Sequence, residues 1–397
     1  MHDATFFESA MREALALAAK GRFYAAPNPC VGAVLVRDSG EIVARGWHER
    51  YGESHAEVNV LKDAEQNGVT PADCTMVVTL EPCRHQGKTP PCVDAILKAG
   101  IHRVVIGSFD PTVEAGGGTQ KLREHGVTVI TGVLQQQCDD MIADFVTWKT
   151  TDLPYTILKL ASTLDGRIAT RTGHSQWISC AETIGIVHEL RRHVGAVMVG
   201  GNTFYHDNPR LNCRPAPGNP PVECQPLAVV VTSRLPGPEV QRALLKERPT
   251  ETIFWTTIAN AASPQAKSLR DMGVRVLGLQ HLSHANNADP GRMRAELDLR
   301  EGLTALRRDH GCLYVMCEGG GRLGLSLLEK NIAGEMRLHL SPRILADNEA
   351  VPLFNGLSPL QIDDSVSLRI VSSRLCGADI IVTLRPGNFP DCRPATT

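Results

Sequence analysis

Four residues in the first quarter of the chain have types and spacing suited to chemistry. His55 and Glu57 stand in ESHAEVNVL, and Cys83 and Cys92 stand in LEPCRHQGKTPPC. One imidazole and two thiolates make a ligand set that suits zinc and leaves the fourth tetrahedral position for water, the arrangement of catalytic rather than structural zinc. Zinc so held brings the pKa of a water molecule towards neutrality. Glu57, two residues past the histidine, is placed to take that water's proton and return it to a leaving amine. Zinc deaminases combine H-x-E with a later P-C-x-x-C. Here the cysteines are separated by eight residues rather than two. Each residue alone has an ordinary alternative, a surface histidine or a core cysteine; it is the joint pattern that predicts zinc. The other cysteines, Cys74, Cys138 and Cys312 among them, are assigned to the core.

A second candidate lies far downstream, in VMCEGGGRLGLSLLEK. A strand, a glycine run and a helix follow one another there. Glycines let backbone approach a ligand closely, and the helix start offers free N–H groups to phosphate. The fragment is not G-x-G-x-x-G, so it does not predict a Rossmann site, and by itself it also fits a plain tight turn.

The elements that must position these residues follow from the hydrophobic pattern. Phe6 to Lys20 is predicted helical, and CVGAVLVRDSGEIVARGWH reads as two strands around Asp38-Ser39-Gly40. A helix from Ala56 to Asn67, the strand TMVVTLEP, a helix at CVDAILKAG, the strand HRVVIGSFD and a further helix–strand pair come next. Strands alternating with helices predict an α/β sandwich on a largely parallel sheet. Helix over Gln135 to Thr150 closes a first domain, 1–150, and a fresh apolar strand in LPYTILKLASTLDGRIAT opens a second, 151–397. In the second, strands are predicted at GAVMVGG, PLAVVVTS, ETIFWTT, VRVLGL, CLYVMCEGG, EMRLHLS and ADIIVTL, and helices at Ala181 to His193, Leu303 to His310 and Leu323 to Asn331. Arg214 to Pro226 and His281 to Ala295 read as surface loops.

The 397 residues are 42 % hydrophobic, ample for two cores, and 41 basic residues against 43 acidic ones leave a formal charge of −2. That balance gives no footprint for nucleic acid or an anionic membrane. No run is long enough to span a bilayer, and MHDATFFESAMREAL lacks the make-up of a signal peptide. The expectation is a cytoplasmic protein whose 12 cysteines are reduced.

The segments PNPCVGAVLV, GWHERYGESHAEV, TLEPCRHQGKTPPC, LKLASTLDGRIATRTGHSQWIS and EGGGRLGLSLL occur in this order. Together they closely resemble the RibD family, the bifunctional deaminase–reductases of riboflavin biosynthesis, over nearly the whole chain. The long insert between Cys83 and Cys92 is itself that family's form of the deaminase motif. The resemblance implies an α/β fold: a cytidine-deaminase-like three-layer domain followed by a dihydrofolate-reductase-like domain. It implies zinc and NADPH as cofactors. It implies zinc-dependent deamination of 2,5-diamino-6-ribosylamino-4(3H)-pyrimidinone 5′-phosphate, then NADPH-dependent reduction of the ribosyl group of the product to ribityl. The substrates are small pyrimidine ribosyl phosphates, with no nucleic acid or membrane partner, and the implied assembly is a homo-oligomer, dimer or tetramer, through the reductase domain.

Residue by residue, the resemblance makes His55, Cys83 and Cys92 the metal ligands and Glu57 the proton shuttle, with Asn28 and His48 at substrate positions. In the reductase it implies cofactor contacts at Ser162, Trp177, Thr203, Asp207, Ser233 and along Gly320, Gly321, Arg322, Leu323, Gly324, Leu325 and Ser326, with Arg234 near a 2′-phosphate. It implies substrate contacts at Ser175, Arg191, Leu211, Arg214 and Glu318, with Arg191 and Arg214 as forks for the substrate phosphate. The plain alternatives are a solvated helix face for Arg191, core for Trp177 and a helix cap for Asp207.

The chain departs from the family pattern at three places. Asn208 stands where the second of two adjacent aspartates is usual, which puts reductase charge in question unless that residue is a cap. The loop DPTVEAGGG is one residue short of the family's DPNPxVxGxG, which puts deaminase substrate affinity in question. Arg84 replaces a small residue after the first cysteine, either as an extra phosphate contact or pointing outward. Two other readings remain: a different zinc nucleobase or nucleoside deaminase fused to an unrelated or inactive nucleotide-binding domain, and a structural zinc module joined to a nucleotide sensor.

Overall fold

The computed structural model describes residues 4–86, 90–112, 114–214, 218, 222–237, 239–282, 296–357 and 359–387. The chain divides into two compact units, one ending at Thr151 and the other beginning at Asp152.

In the first unit the elements run α1 (Glu8–Lys20), β1 (Gly32–Val36), β2 (Ile42–Trp47), α2 (Ala56–Gln66), β3 (Thr75–Leu80), α3 (Cys92–Lys98), β4 (Arg103–Ser108), α4 (Gly118–Glu124), β5 (Thr128–Thr131), α5 (Gln135–Met141) and α6 (Ala143–Thr150). The sheet order is β2-β1-β3-β4-β5. β3, β4 and β5 are parallel, but β1 is antiparallel to both β2 and β3. The sheet is therefore mixed, not largely parallel as the alternation suggested. The cause is local: Gly40, at φ +89°, allows a tight hairpin that returns β2 beside β1. β3 is wholly buried, its two threonines included, as befits a strand covered on both faces. Helix α1 lays Ala10, Met11, Ala14, Leu17 and Ala18 on the sheet and begins after a 3-10 turn over Ala4–Phe7. Helix α2 sits unusually low on β2, because a Cβ at Gly46 would stand 2.3 Å from Val60 N. That close approach sets the depth at which the first turn of α2 enters the unit.

The second unit runs β6 (Tyr155–Thr163), β7 (Arg167–Ala169), α7 (Ala181–His193), β8 (Ala196–Gly200), α8 (Gly201–Asp207), β9 (Leu227–Val231), α9 (Ala243–Glu247), β10 (Thr252–Thr257), α10 (Ile258–Ala261), α11 (Pro264–Asp271) and β11 (Arg275–Leu279). It continues through β12 (His281–Leu282), β13 (Glu296–Leu297), α12 (Leu299–His310), β14 (Tyr314–Cys317), α13 (Gly321–Glu329), β15 (Ala333–Ser341), β16 (Val351–Pro352), β17 (Leu368–Cys376) and β18 (Asp379–Pro386). Nine strands form one sheet in the order β11-β10-β9-β8-β14-β6-β15-β18-β17. It is parallel from β11 to β15, with β18 and β17 added antiparallel at the far edge. Its core gathers Leu158, Leu160, Met198, Val229, Trp255, Leu303 and Val315 between the sheet and its helices.

Two differences from the sequence reading have plain causes. Helix α12 starts at Leu299 rather than Leu303, because the Asp298 carboxylate accepts hydrogen bonds from the N–H groups of Arg300 and Glu301 and caps it there. Strand β17 was not expected from its pattern; it is a largely exposed edge strand held by its hairpin with β18. Parts of the two predicted loops, 215–217, 219–221 and 283–295, lie outside the described residues; His281 and Leu282, placed in the second loop, form β12.

Candidate active sites

His55 is the residue before α2, with extended backbone, and Glu57 lies in that helix's first turn. Cys83 follows the end of β3, and Cys92 opens α3 behind Pro91. Strand ends and helix starts of one α/β rim thus converge, as ligand sites of open sheets do. His55 Nδ1 is 3.2 Å from Cys92 Sγ and 3.7 Å from Cys83 Sγ, and the three donor atoms all lie within 4.8 Å of one another. A tetrahedral zinc with ordinary bond lengths sets such donors ~3.5–3.8 Å apart, so the set fits the ion. The Cys92 backbone N–H points at Cys83 Sγ, 3.4 Å away. Hydrogen bonding from Cys92, helped by His55, holds the Cys83 thiol well below its ordinary value despite burial. The same bond and burial push Cys92 up.

Glu57 is 3 % exposed. Burial, and then the charge of Cys83, push its carboxyl up to about 7, with His55 pulling the other way. Glu57, His55 and Cys83 line a cavity of 450 Å³ with Asn28 and His48, and Cys92 joins this group through its contact with His55. His48 is buried, and its Nδ1–H donates to Ser54 O at 3.1 Å while its Nε2 accepts from Asn28 Nδ2 at 3.2 Å. Burial lowers its pKa, which keeps the ring neutral and in that tautomer.

The shortened loop does face this cavity, through Thr112, Glu114 and Ala115. Its two ends are fastened by a residue that motif reading passed over. Glu81, 6 % exposed, accepts from the N–H of Thr119 at 2.8 Å and of Asp110 at 3.3 Å. The signal was present in LEPC, an acid at the end of an apolar strand. Arg84 does not add a contact inside the cavity. Its guanidinium lies along the loop, 3.2 Å from where a Cβ of Gly117 would stand.

In the second unit, the predicted residues gather largely beyond the carboxyl ends of adjacent parallel strands. Ser162 ends β6, Thr203 and Asp207 lie on α8 after β8, Ser233 follows β9, and Glu318 with the glycine run follows β14. The Ser162 hydroxyl is buried and without a hydrogen-bond partner among the described residues. Gly320 has φ +80°, and a Cβ at Gly321 would fall 2.0 Å from Leu353 O. A Cβ at Gly319 would meet Thr203 Oγ1 at 3.0 Å. Gly321 and Gly319 thus let the turn pack tightly on Leu353 and Thr203 at the head of a nine-residue helix, and the free N–H groups of that helix start with the orphaned serine fit a phosphate-bearing cofactor. Along α13, Arg322 is exposed and Leu323 and Ser326 half-buried, whereas Gly324 and Leu325 are packed inward, Gly324 against Leu158.

Ser175 and Trp177 stand on the segment between β7 and α7; Trp177 is 64 % exposed, which removes it from the core. Asp207 closes α8, and partial burial raises its carboxyl pKa. Ser233 is exposed, its carbonyl accepting from Asn260 Nδ2, and the Arg234 guanidinium stacks 4.0 Å over the Tyr205 ring. Asn208 has φ +46°, and its Oδ1 accepts from Ala243 N at 2.8 Å, so this side chain anchors the start of α9.

Arg191 is not on a solvated face. Its Nε and Nη2 each meet a Glu318 oxygen at 2.5 Å, and its Nη1 donates to Asn212 O at 2.9 Å. Its fork is paired with Glu318 in this structure. Burial would raise Glu318, but the charge and bonds of Arg191 outweigh it and hold the carboxyl down. Arg214 is exposed, bonded to Asn212 Oδ1 at 2.9 Å and set against the His188 ring, and Leu211 beside it is buried. Lys159 was missed. Burial lowers its pKa, with Glu318 and Arg191 as its next strongest influences, so it is a half-buried lysine close to that pair. A lone lysine in the apolar run TILKLAS was the available signal.

Comparison with known proteins finds relatives of both units. Residues 5–108 match the cytidine and deoxycytidylate deaminase zinc-binding region, and residues 154–382 match the RibD C-terminal domain. The riboflavin biosynthesis protein RibD of Aquifex aeolicus is 35 % identical over 94 % of this chain and 96 % of its own. That of Escherichia coli is 32 % identical over 94 % and 98 %. The crystal structure of a diaminohydroxyphosphoribosylaminopyrimidine deaminase/5-amino-6-(5-phosphoribosylamino)uracil reductase from Thermotoga maritima superposes with a TM-score of 0.70, at 32 % identity over 97 % of this chain and all of that one. A RibD structure from Acinetobacter baumannii gives 0.69, at 29 % identity over the same shares. With a family model over more than half its length and relatives matched from end to end, this chain belongs to the RibD family of riboflavin biosynthesis proteins.

Proposed function

We propose that this chain performs two consecutive steps on one pyrimidine ribosyl phosphate. The first unit hydrolyses an amino group from 2,5-diamino-6-ribosylamino-4(3H)-pyrimidinone 5′-phosphate, releasing ammonia. The second reduces the ribosyl group of the deaminated product to ribityl with NADPH. The observation that carries the reading is the His55–Cys83–Cys92 donor set, two of whose members line one cavity with buried Glu57 and the Asn28–His48 pair.

His55, Cys83 and Cys92 are the residues that hold zinc, which supplies Lewis acidity and lowers the pKa of water. Glu57, raised to about 7, accepts a proton at its carboxylate from water and passes it to the departing amine. A carboxyl tuned near the working pH does both at little cost in driving force. Neutral His48, fixed by Ser54, presents Asn28 to the pyrimidine.

In the second unit NADPH supplies the reducing equivalents. Ser162, Thr203, Asp207, Ser233, Trp177 and the 320–326 turn are the residues that hold it; the helix start at Gly321 and the orphaned Ser162 hydroxyl support this. Ser175, Leu211 and Glu318 face substrate. Arg214, exposed beside Leu211, takes its phosphate, and Arg191 sets the orientation of Glu318. The chain assembles with copies of itself through the reductase unit. Supporting this, Ile370 and Leu375 of the edge strand β17 are 65 % and 76 % exposed. A cytoplasmic setting completes the reading, and the described cysteines are all free thiols.

The direct test is a two-stage assay on the pyrimidinone phosphate. Ammonia release followed by NADPH consumption supports the reading. Turnover of cytidine or guanine alone would favour a different deaminase and reject it.

A further inference from the structure

We propose that Lys149 is a specificity-determining residue of the deaminase cavity, holding the 5′-phosphate of its substrate. The inference rests on the function proposed above.

The cavity is rich in carboxylates. Glu53, Glu57, Glu81, Asp110 and Glu114 all line it. A phosphate ester, close to a dianion at neutral pH, enters such a site only against repulsion unless a cation meets it. Among the described lining residues Lys149 is the single ammonium or guanidinium. Arg84, the other cation near the loop, is laid against Gly117 and does not line the cavity. Of the three lining histidines, His48 is committed to Ser54 and Asn28, His55 belongs to the donor set, and His85 is an exposed imidazole rather than a fixed cation.

The placement of Lys149 follows from its helix. Phe145 and Lys149 are four residues apart on α6, hence on one face, and both line the cavity. Phe145 is 5 % exposed and fixed. The Lys149 ammonium lies 5.5 Å from its ring centroid, so the stem is steadied along the ring while the residue stays exposed at the rim. The donor set and Glu57 are buried or half-buried, and Lys149 is exposed. A substrate with its base at the donor set and its phosphate at the mouth matches this polarity. Lysine suits the task as a mobile point charge.

The experiment compares the unsubstituted enzyme with Lys149→Met, which keeps the stem over Phe145 and removes the charge. Ammonia release is followed with the pyrimidinone ribosyl phosphate and with its dephosphorylated nucleoside. The expected result is a rise of about tenfold or more in KM for the phosphate ester, from loss of a charge-assisted contact, with KM for the nucleoside unchanged. Undiminished turnover of the nucleoside certifies that the deaminase unit is folded. An unchanged KM for the ester, or equal rises for both substrates, overturns the inference while leaving the proposed function standing. No ammonia from the ester with the unsubstituted enzyme overturns both.

Discussion

Arg191 and Glu318, 127 residues apart in sequence, form a two-pronged ion pair with both contacts at 2.5 Å and side chains only 12 % and 11 % exposed. Breaking a buried pair leaves one charge without compensation, at a cost of about 3–5 kcal/mol. Arg191→Ala is expected to lower stability by that order in urea denaturation and to depress reductase turnover, because Glu318 loses its orientation. Arg214→Ala should instead leave stability nearly unchanged and raise the reductase KM about tenfold through lost phosphate binding. A stable Arg191→Ala with normal turnover, or an unaltered KM in Arg214→Ala, contradicts these assignments.

Glu57→Gln keeps the size of the side chain but removes its capacity to carry a proton. The variant is expected to retain zinc, lose ammonia release by at least about a hundredfold, and still oxidise NADPH when given the deaminated intermediate. Loss of both activities together would argue against two independent sites.

His339 lies in the middle of β15, fully buried, with neither ring nitrogen bonded among the described residues. Burial first, then the charges of Lys159, Arg337 and Arg374, push its pKa down to about 3 from 6.5. The unfolded chain therefore takes up this proton before the folded one. The contribution of neutral His339 to stability is complete above pH 6.5 and is lost as pH falls through 3, with a slope of up to about 1.4 kcal/mol per pH unit. Denaturation at pH 7, 5.5 and 4.5 should show a shallower decline for His339→Leu than for the unsubstituted chain. Identical slopes would show that this ring does not titrate as described.

Asn208 holds the start of α9 through its side-chain carbonyl. Asn208→Asp preserves an acceptor there and should change stability by only a few tenths of a kcal/mol, with reductase kcat unaltered. Asn208→Ala should cost about 1 kcal/mol. A large gain in kcat on restoring the aspartate would mean that the charge, not the cap, is what matters at this position.

The sequence made the deaminase site legible because its chemistry is compact. Four residues within thirty-eight positions sit at strand ends and helix starts, where their geometry follows from the elements. The parallel strands of the second unit were legible for a related reason, since each is a short apolar run with turn signals on both sides. What escaped depended on partners distant in sequence. That Arg191 spends its fork on Glu318, that Glu81 fastens both ends of a loop, and that half-buried Lys159 sits near the same ion pair are consequences of tertiary packing. The hairpin at Gly40 was legible in the sequence, but its consequence, a sheet antiparallel on that side, was not; exposed β17 carried no periodic signal because one edge strand need not bury either face fully.

The central claim is that His55, Cys83 and Cys92 hold a zinc ion on which deamination depends. Metal content and ammonia release should be measured on chain purified without chelators, then after chelation, then after zinc is restored. The account predicts about one zinc per chain, loss of ammonia release on chelation with NADPH oxidation of the deaminated intermediate intact, and recovery on adding zinc back. A chain that carries no stoichiometric transition metal and still releases ammonia from the pyrimidinone phosphate would contradict it.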